Sequence, residues 1–495
     1  MAECAPGATV CLDTRRRPRD PRRDRPRLIR VTAPPTHDLV VVGGGPGGYA
    51  AALYGAAAGL SVAMVERDKV GGTCLHRGCI PAKEFLETAS VFRTVAGAKE
   101  FGVQAEQPTV DFGVSQQRKG KVVDQLWKGL GGLLKKRRVT TVAGTGQLGP
   151  GRRVTVDGGT ELVGRHVVLA TGSVPRTIGG FEVDGRLVLT SDEVLALDRL
   201  PGRVAVIGGG AIGCEFASML SDLGTQVTLL EALPQLLPGC DADVVEVLAR
   251  SFKRRGIDVH VGVPVHGHRP MDGTTTVLYG EGGQVTVDAV VVSVGRRPRS
   301  DGLLAPGTAV EVDDKGFVRV DPWCRTGEDG VYAVGDLIAT PQLAHVGFAE
   351  AMVAVQDALG EQPLPIDYGR VPWCIYTFPE VAFVGLSEAA ATAAGHDVVT
   401  KKDPFGGNGR ALILGETEGL VKVVAARDGA AGAGPILGVH MVGPWVTEQL
   451  GAGHLAVNWE ATPAEVGRFV QPHPSLSEVF GETVLALTGR GLHIS

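Results

Sequence analysis

Two stretches of this chain spell the same unit. Residues 38–66 read DLVVVGGGPGGYAAALYGAAAGLSVAMVE, and residues 203–231 read RVAVIGGGAIGCEFASMLSDLGTQVTLLE. Each gives a buried apolar strand, a Gly-rich turn, an Ala-rich helix, a second strand and a closing Glu. Gly43, Gly45 and Gly48 recur as Gly208, Gly210 and Gly213, and Glu66 recurs as Glu231, always 165 residues further on. This is the βαβ dinucleotide unit. The first Gly permits the tight turn, the second lets the backbone approach a pyrophosphate, and the third lets the helix pack on the strand. The phosphates sit on the helix N-terminus, and the closing Glu is placed to accept hydrogen bonds from a ribose diol. A lone GxGxxG is weak evidence, but two copies with matching Glu spacing leave little room for two ordinary Gly-rich turns. After Glu231 come Ala232, Leu233, Pro234 and Gln235. No Arg is there to receive a 2′-phosphate, so NAD is favoured over NADP. Three further apolar strands, within 167–173, 290–298 and 331–336, end in short Gly-containing turns. With the offset, they imply that one dinucleotide domain is inserted within another.

Between the two units, residues 71–83 read GGTCLHRGCIPAK. Cys74 and Cys79 are five residues apart, and Gly78 allows a tight turn between them. Pro81 suits the first turn of a helix. A helix start offers free N–H groups and a positive dipole end, which favour a thiolate. A cysteine pair that can open and close beside a two-electron cofactor makes a redox enzyme. Metal binding is the weaker reading. Cys74, His76 and Cys79 give three ligand types with no fourth local partner, and a structural zinc site wants four. His266 and His268 read as a solvated loop, and no metal is expected. Cys214, Cys240, Cys324 and Cys374 read as ordinary thiols, because nothing marks a secreted disulfide framework.

The ordered set of motifs resembles the flavin-dependent pyridine nucleotide–disulfide oxidoreductases. Its marks are the first GxGxxG with Glu66, GGTCLHRGCIPAK, ATGS at 170–173 and the second GxGxxG with Glu231. GRRP at 295–298, AVGD at 333–336, LAH at 343–345, YTFPE at 376–380 and HPSLSE at 473–478 complete it. The resemblance implies an α/β fold with two Rossmann-like domains, the NAD domain inserted in the FAD domain, plus a C-terminal α+β dimerisation domain. The expected boundaries are an FAD domain at 37–180, an NAD domain at 181–299, a central segment returning to FAD at 300–365 and a dimerisation domain at 366–495.

Carried over motif by motif, Gly43, Gly45, Gly48 and Glu66 would hold the pyrophosphate and adenosine ribose of FAD. Thr73, Lys83, Gly146, Thr171, Gly172, Ser173, Asp336 and Ala344 would line the rest of the flavin, with Asp336 accepting from a ribityl hydroxyl or capping the segment after it. Gly208, Gly210, Gly213, Glu231, Val265 and Gly295 would bind NAD. The motifs lie nearest to the branch that oxidises dihydrolipoamide with NAD⁺. There, Cys74 would exchange with the dithiol and Cys79 would face the flavin. His473 would be the base, oriented by Glu478. It would reach the disulfide of the other subunit, so the active enzyme should be a homodimer. Lys83, paired with Glu215, would stabilise a reduced anionic flavin. The expected partner is a lipoyl domain of 2-oxo acid dehydrogenase or glycine cleavage complexes.

Three departures stand out. The loop between the cysteines is Leu75-His76-Arg77-Gly78 rather than the usual Leu-Asn-Val-Gly, so Arg77 could lower a thiol pKa or simply face solvent. Gln471 occupies a position that often holds a second His, and Ser475 replaces a frequent Thr. Two rivals compete with the leading reading. One is an NAD(P)H-dependent reductase of another small disulfide, and Glu231 argues against its NADPH-dependent members. The other is a non-catalytic flavoprotein scaffold, which loss of Cys74, Cys79 or His473 would have favoured.

Of the 495 residues, 44% are hydrophobic, enough for several domain cores. A net charge of −5 points neither to nucleic acid nor to an anionic membrane. No apolar run is long enough to span a membrane, and a cytoplasmic enzyme is expected. Residues 1–36 differ, with nine Arg against four acids among repeated prolines. They read as a disordered tail without the apolar core of a secretory signal.

Overall fold

The computed structural model describes residues 36–428 and 432–493. The expected tail therefore falls outside the described residues, apart from Thr36.

Both repeats fold as their patterns require. In the first, strand His37–Val42 lies between two parallel neighbours, Val62–Glu66 and Thr160–Leu169. Its residues Leu39, Val40 and Val41 are fully buried, as expected of a parallel strand covered on both faces. Thr140–Ala143 extends this sheet on one side, and the antiparallel strands Arg153–Val156 and Gly146–Gly149 extend it on the other. In the second repeat, Arg203–Ile207 is flanked in parallel by Gln226–Glu231 and Ala289–Val292, with Asp258–Val261 and Val188–Leu189 at the edges. A three-stranded antiparallel sheet, Val265–Met271, Thr274–Tyr279 and Gly283–Val287, belongs to the same region.

The order of strands explains the insertion. Val331–Ala333 comes after the whole second sheet in the chain, yet it pairs in parallel with Thr160–Leu169 of the first. The first domain is therefore completed only after the second has been built inside it. Beyond it lies a five-stranded antiparallel sheet in the order Trp373–Ile375, Glu380–Gly385, Gly432–Gly443, Leu420–Asp428, Val398–Pro404. Helices Val446–Asn458 and Glu478–Leu487 bury Val446, Leu450, Val479, Phe480 and Val484 in one core with that sheet. Among the described residues, no helix is long and apolar enough to cross a membrane.

Candidate active site

The two Gly-rich turns can be tested glycine by glycine. Gly43 has φ +104°, and a Cβ there would lie 2.3 Å from the carbonyl oxygen of Ala170. A Cβ on Gly48 would lie 1.8 Å from the carbonyl oxygen of Gly43. The second repeat does the same, with Gly208 at φ +106° and a Cβ on Gly213 1.8 Å from the Gly208 oxygen. The first and third glycines are thus required by the protein itself. The second is not. A Cβ on Gly45 would meet only the Gly72 Cα at 4.0 Å, and one on Gly210 would meet nothing within 4 Å. Each caps the N-terminus of its helix, Pro46–Ala57 or Ala211–Asp222. The space in front of each helix N-terminus is thus left open by the protein, and both turns fit a dinucleotide.

The closing glutamates are held by backbone N–H groups of their own copies. Glu66 accepts the Gly44 N–H at 2.6 Å and the Asp68 N–H at 2.8 Å, one on each oxygen. Glu231 accepts the Gly209 and Leu233 N–H groups in the same way. Each oxygen keeps a second lone pair for a hydroxyl donor. The second turn opens onto a cleft of about 580 Å³ lined by Gly208, Gly210, Glu231, Val265 and Gly295. No Lys or Arg lines it. Gly146, Thr171 and Glu66 line a cleft at the first turn. Beside it, the Ser173 hydroxyl donates to Asp336 at 2.5 Å, and Arg296 Nε lies 3.7 Å from the same carboxylate. Asp336 is held by these groups rather than spent on a helix cap. Ala344 begins helix Ala344–Ala358.

The cysteine loop is two helices meeting at a glycine. Thr73 and Cys74 lie on the short helix Gly72–Arg77, and Cys79 is the first residue of helix Cys79–Gly97. Both thiols are free and hydrogen-bonded to each other. That bond, with the cation of Lys83, lowers Cys79 to about 7 against the opposing effect of burial. The same bond and burial push Cys74 up. Lys83 donates to both oxygens of Glu215 at 2.8 Å. Burial opposes its charge, but Glu215 holds its pKa above the usual lysine value.

Sequence reasoning missed what else Glu215 does. It accepts the Tyr376 N–H at 3.0 Å, and the Tyr376 ring lies 4.9 Å from Lys83 Nζ. One carboxylate on the inserted domain thus ties together the cysteine helix and the C-terminal region. The signal was available, since Tyr376 opens the YTFPE motif.

His473 stands apart. Its Nδ1 pairs with Glu478 Oε1 at 2.8 Å, while its side chain is 79% exposed. Burial opposes ionisation of Glu478, but the Ser475 N–H and His473 hold its carboxyl below the usual range. None of the contacts of His473 reaches the cysteines of its own chain. Of the departures, Arg77 pairs with Asp68, while the leading causes of the thiol shifts are the Cys74–Cys79 hydrogen bond, burial and Lys83. The Gln471 side chain packs against Gly481. His266 and His268 correct the expectation of a solvated loop. Both lie on strand Val265–Met271, where cross-strand pairing fixes them. His266 pairs with the Gly280 carbonyl, and His268 pairs with Thr275 and stacks on Phe181. No group of side chains suited to a metal ion occurs among the described residues.

Residues 37–351 match the pyridine nucleotide-disulphide oxidoreductase family, and residues 371–484 match that family's dimerisation domain. The chain belongs to this family. It is an oxidoreductase, and the family's cofactors, FAD and NAD, fit its two turns. Among curated relatives of this oxidoreductase, a dihydrolipoyl dehydrogenase of Bacillus subtilis is 42% identical over 474 residues, covering 92% of this chain and 99% of the relative. A dihydrolipoyl dehydrogenase of Thermus scotoductus is 39% identical, covering 93% and 99%. Among solved structures, LpdA from Mycobacterium tuberculosis superposes with a TM-score of 0.83 at 27% identity, covering 91% of this chain and 99% of LpdA. The HOCl-induced flavoprotein disulfide reductase RclA from Escherichia coli gives 0.80 at 26%, covering 90% and 99%.

Proposed function

We propose that this oxidoreductase is a dihydrolipoamide dehydrogenase, converting dihydrolipoamide and NAD⁺ to lipoamide and NADH. The observation that carries the reading is the Cys74–Cys79 pair, acidified at Cys79 beside the Lys83–Glu215 couple. The curated relatives' shared name supports the substrate.

The cycle starts with Cys74 and Cys79 joined as a disulfide. One substrate thiolate attacks Cys74 Sγ, forming a mixed disulfide, and Cys79 leaves as a thiolate. A leaving thiol of low pKa departs faster, which suits Cys79. The second substrate thiol gives its proton to His473 of the partner subunit and attacks the substrate sulfur bound to Cys74. Cyclic lipoamide forms, and Cys74 leaves and takes the proton back from the imidazole. The substrate has lost two electrons and the enzyme disulfide has gained them. FAD, when bound, supplies the two-electron relay from this dithiol to NAD⁺. Glu478 keeps the imidazole oriented and supports its charged form. Glu231 holds the NAD⁺ ribose, and a cleft free of cations gives no purchase to a 2′-phosphate.

A homodimer would account for the exposed His473, and the dimerisation-domain match supports one. Exposed Trp459, Phe469 and Val470 would be covered in it. We take the partner to be a lipoyl domain of 2-oxo acid dehydrogenase or glycine cleavage complexes. Cys214, Cys240, Cys324 and Cys374 form no disulfide, which suits a reducing compartment, and we place the enzyme in the cytoplasm. The test is NADH formation from dihydrolipoamide by the purified yellow protein, with NADP⁺ in parallel. Fast turnover with NAD⁺ alone is expected. A flavin-loaded protein that ignores dihydrolipoamide would contradict the substrate.

A further inference from the structure

The two nucleotide clefts are copies in backbone and unlike in charge. Arg67 and Arg299 line the cleft at Gly43 and Glu66, whereas no Lys or Arg lines the cleft at Gly208 and Glu231. Arg67 directly follows Glu66, where the second repeat has Ala232 after Glu231. Arg299 follows the GRRP motif, and its backbone is pinned to the ATGS turn. Its N–H donates to the Gly172 carbonyl at 2.8 Å, and its carbonyl accepts the Thr171 hydroxyl at 2.7 Å.

Asp301 also lines this cleft, but it is paired with Arg297 at 3.1 Å. Arg77 is committed to Asp68, and Arg296 to Ser173 and Asp336. Among the described residues, neither Arg67 nor Arg299 makes a side-chain hydrogen bond or ion pair. Half-buried Arg299 feels the charges of Arg67, Arg77 and Arg296 together, with Glu66 as the opposing anion. Burial, followed by Arg67, lowers its pKa, so the protein around this cleft disfavours the charge it carries. A bound anion would reverse that cost. The ligand of this cleft has one, the diphosphate of FAD, and guanidinium is the side chain best matched to phosphate oxygens.

We propose that Arg299, backed by Arg67, is the residue that retains FAD, supplying positive charge to its adenosine–diphosphate half. The inference rests on the FAD reading of the first cleft. It also explains the asymmetry between the repeats. FAD must stay through every turnover and NAD⁺ must leave after each one, so unpaired arginines line the cleft of one copy and none lines that of the other.

The test uses the holoenzyme. Wild type, Arg299→Met and Arg299→Lys are diluted at low salt and ultrafiltered, and the flavin passing the membrane is measured. Arg299→Met should bind FAD about tenfold more weakly or worse, as expected for loss of a charge-assisted contact. The gap should narrow as salt rises, and Arg299→Lys should fall between. Retention by Arg299→Met within about twofold of wild type, against the tenfold expected of a charged contact, would overturn the proposal. A loss equal at low and high salt would also overturn it, since packing rather than charge would then be responsible. If Arg299→Met fails to fold, the Lys variant and the salt series decide in the same way. Wild-type protein that carries no FAD would overturn the cofactor reading instead.

Discussion

Cys79 owes its acidity to two neighbours, the Cys74 thiol that donates to it and the Lys83 cation one helical turn on. Its pKa falls from the ordinary 9.0 to about 7. The sign follows from that direction. Above the ordinary value both folded and unfolded thiols are ionised, and the thiolate's stabilising contacts are fully present. They are lost as pH falls through about 7, where Cys79 takes up its proton. The ultraviolet thiolate absorbance of the reduced protein, taken as a difference against Cys79→Ser, should therefore titrate with a midpoint near 7. Lys83→Met should move that midpoint up by roughly one unit or more. A midpoint unmoved by Lys83→Met would remove the cation from the account.

The Gly-rich turns separate what folding needs from what the ligand needs. Gly210→Ala should leave stability within about 0.5 kcal/mol, because its Cβ meets nothing in the protein. It should raise the Michaelis constant for NAD⁺ severalfold while FAD content stays unchanged. Gly43→Ala should instead lower stability by more than about 1 kcal/mol, through its positive φ and the clash with Ala170. Thermal unfolding with NAD⁺ titration checks both, and equal behaviour of the two variants would contradict the division. At this scale most of the fold was legible. Strand, turn, helix and closing Glu are local patterns, and the Gly43 and Gly208 turns appear where the spacing put them. The double use of Glu66 and Glu231 was not legible, because a backbone N–H that a carboxylate will accept leaves no mark in the sequence.

Contacts between distant parts of the chain were the least legible. Lys422, on strand Leu420–Asp428, has a side chain only 5% exposed and reaches Asp241, Asp243 and Glu388 at 3.0, 2.7 and 2.6 Å. Arg255 spans from Asp222 and Ser218 to the Phe378 carbonyl. Both clamp the inserted domain to the C-terminal sheet, and neither lies in a motif. Removing one partner of such a buried cluster leaves uncompensated charge. Lys422→Met should therefore cost about 3–5 kcal/mol in urea unfolding, and a loss below about 1 kcal/mol would mean the cluster behaves as a surface pair. His473 was legible as a motif, but that its side chain is exposed and pairs with Glu478, not with the cysteines of its own chain, is a property of the fold. That placement makes the second copy part of the proposed chemistry. The most direct measurement is turnover by mixed dimers of Cys74→Ser and His473→Gln subunits, carrying different tags and purified through both. Each parent homodimer should lose activity by on the order of a hundredfold or more. In the mixed dimer, one centre joins an intact cysteine pair to an intact imidazole. It should recover one working centre of the two, whereas mixed dimers as inactive as their parents would contradict a site built across two copies.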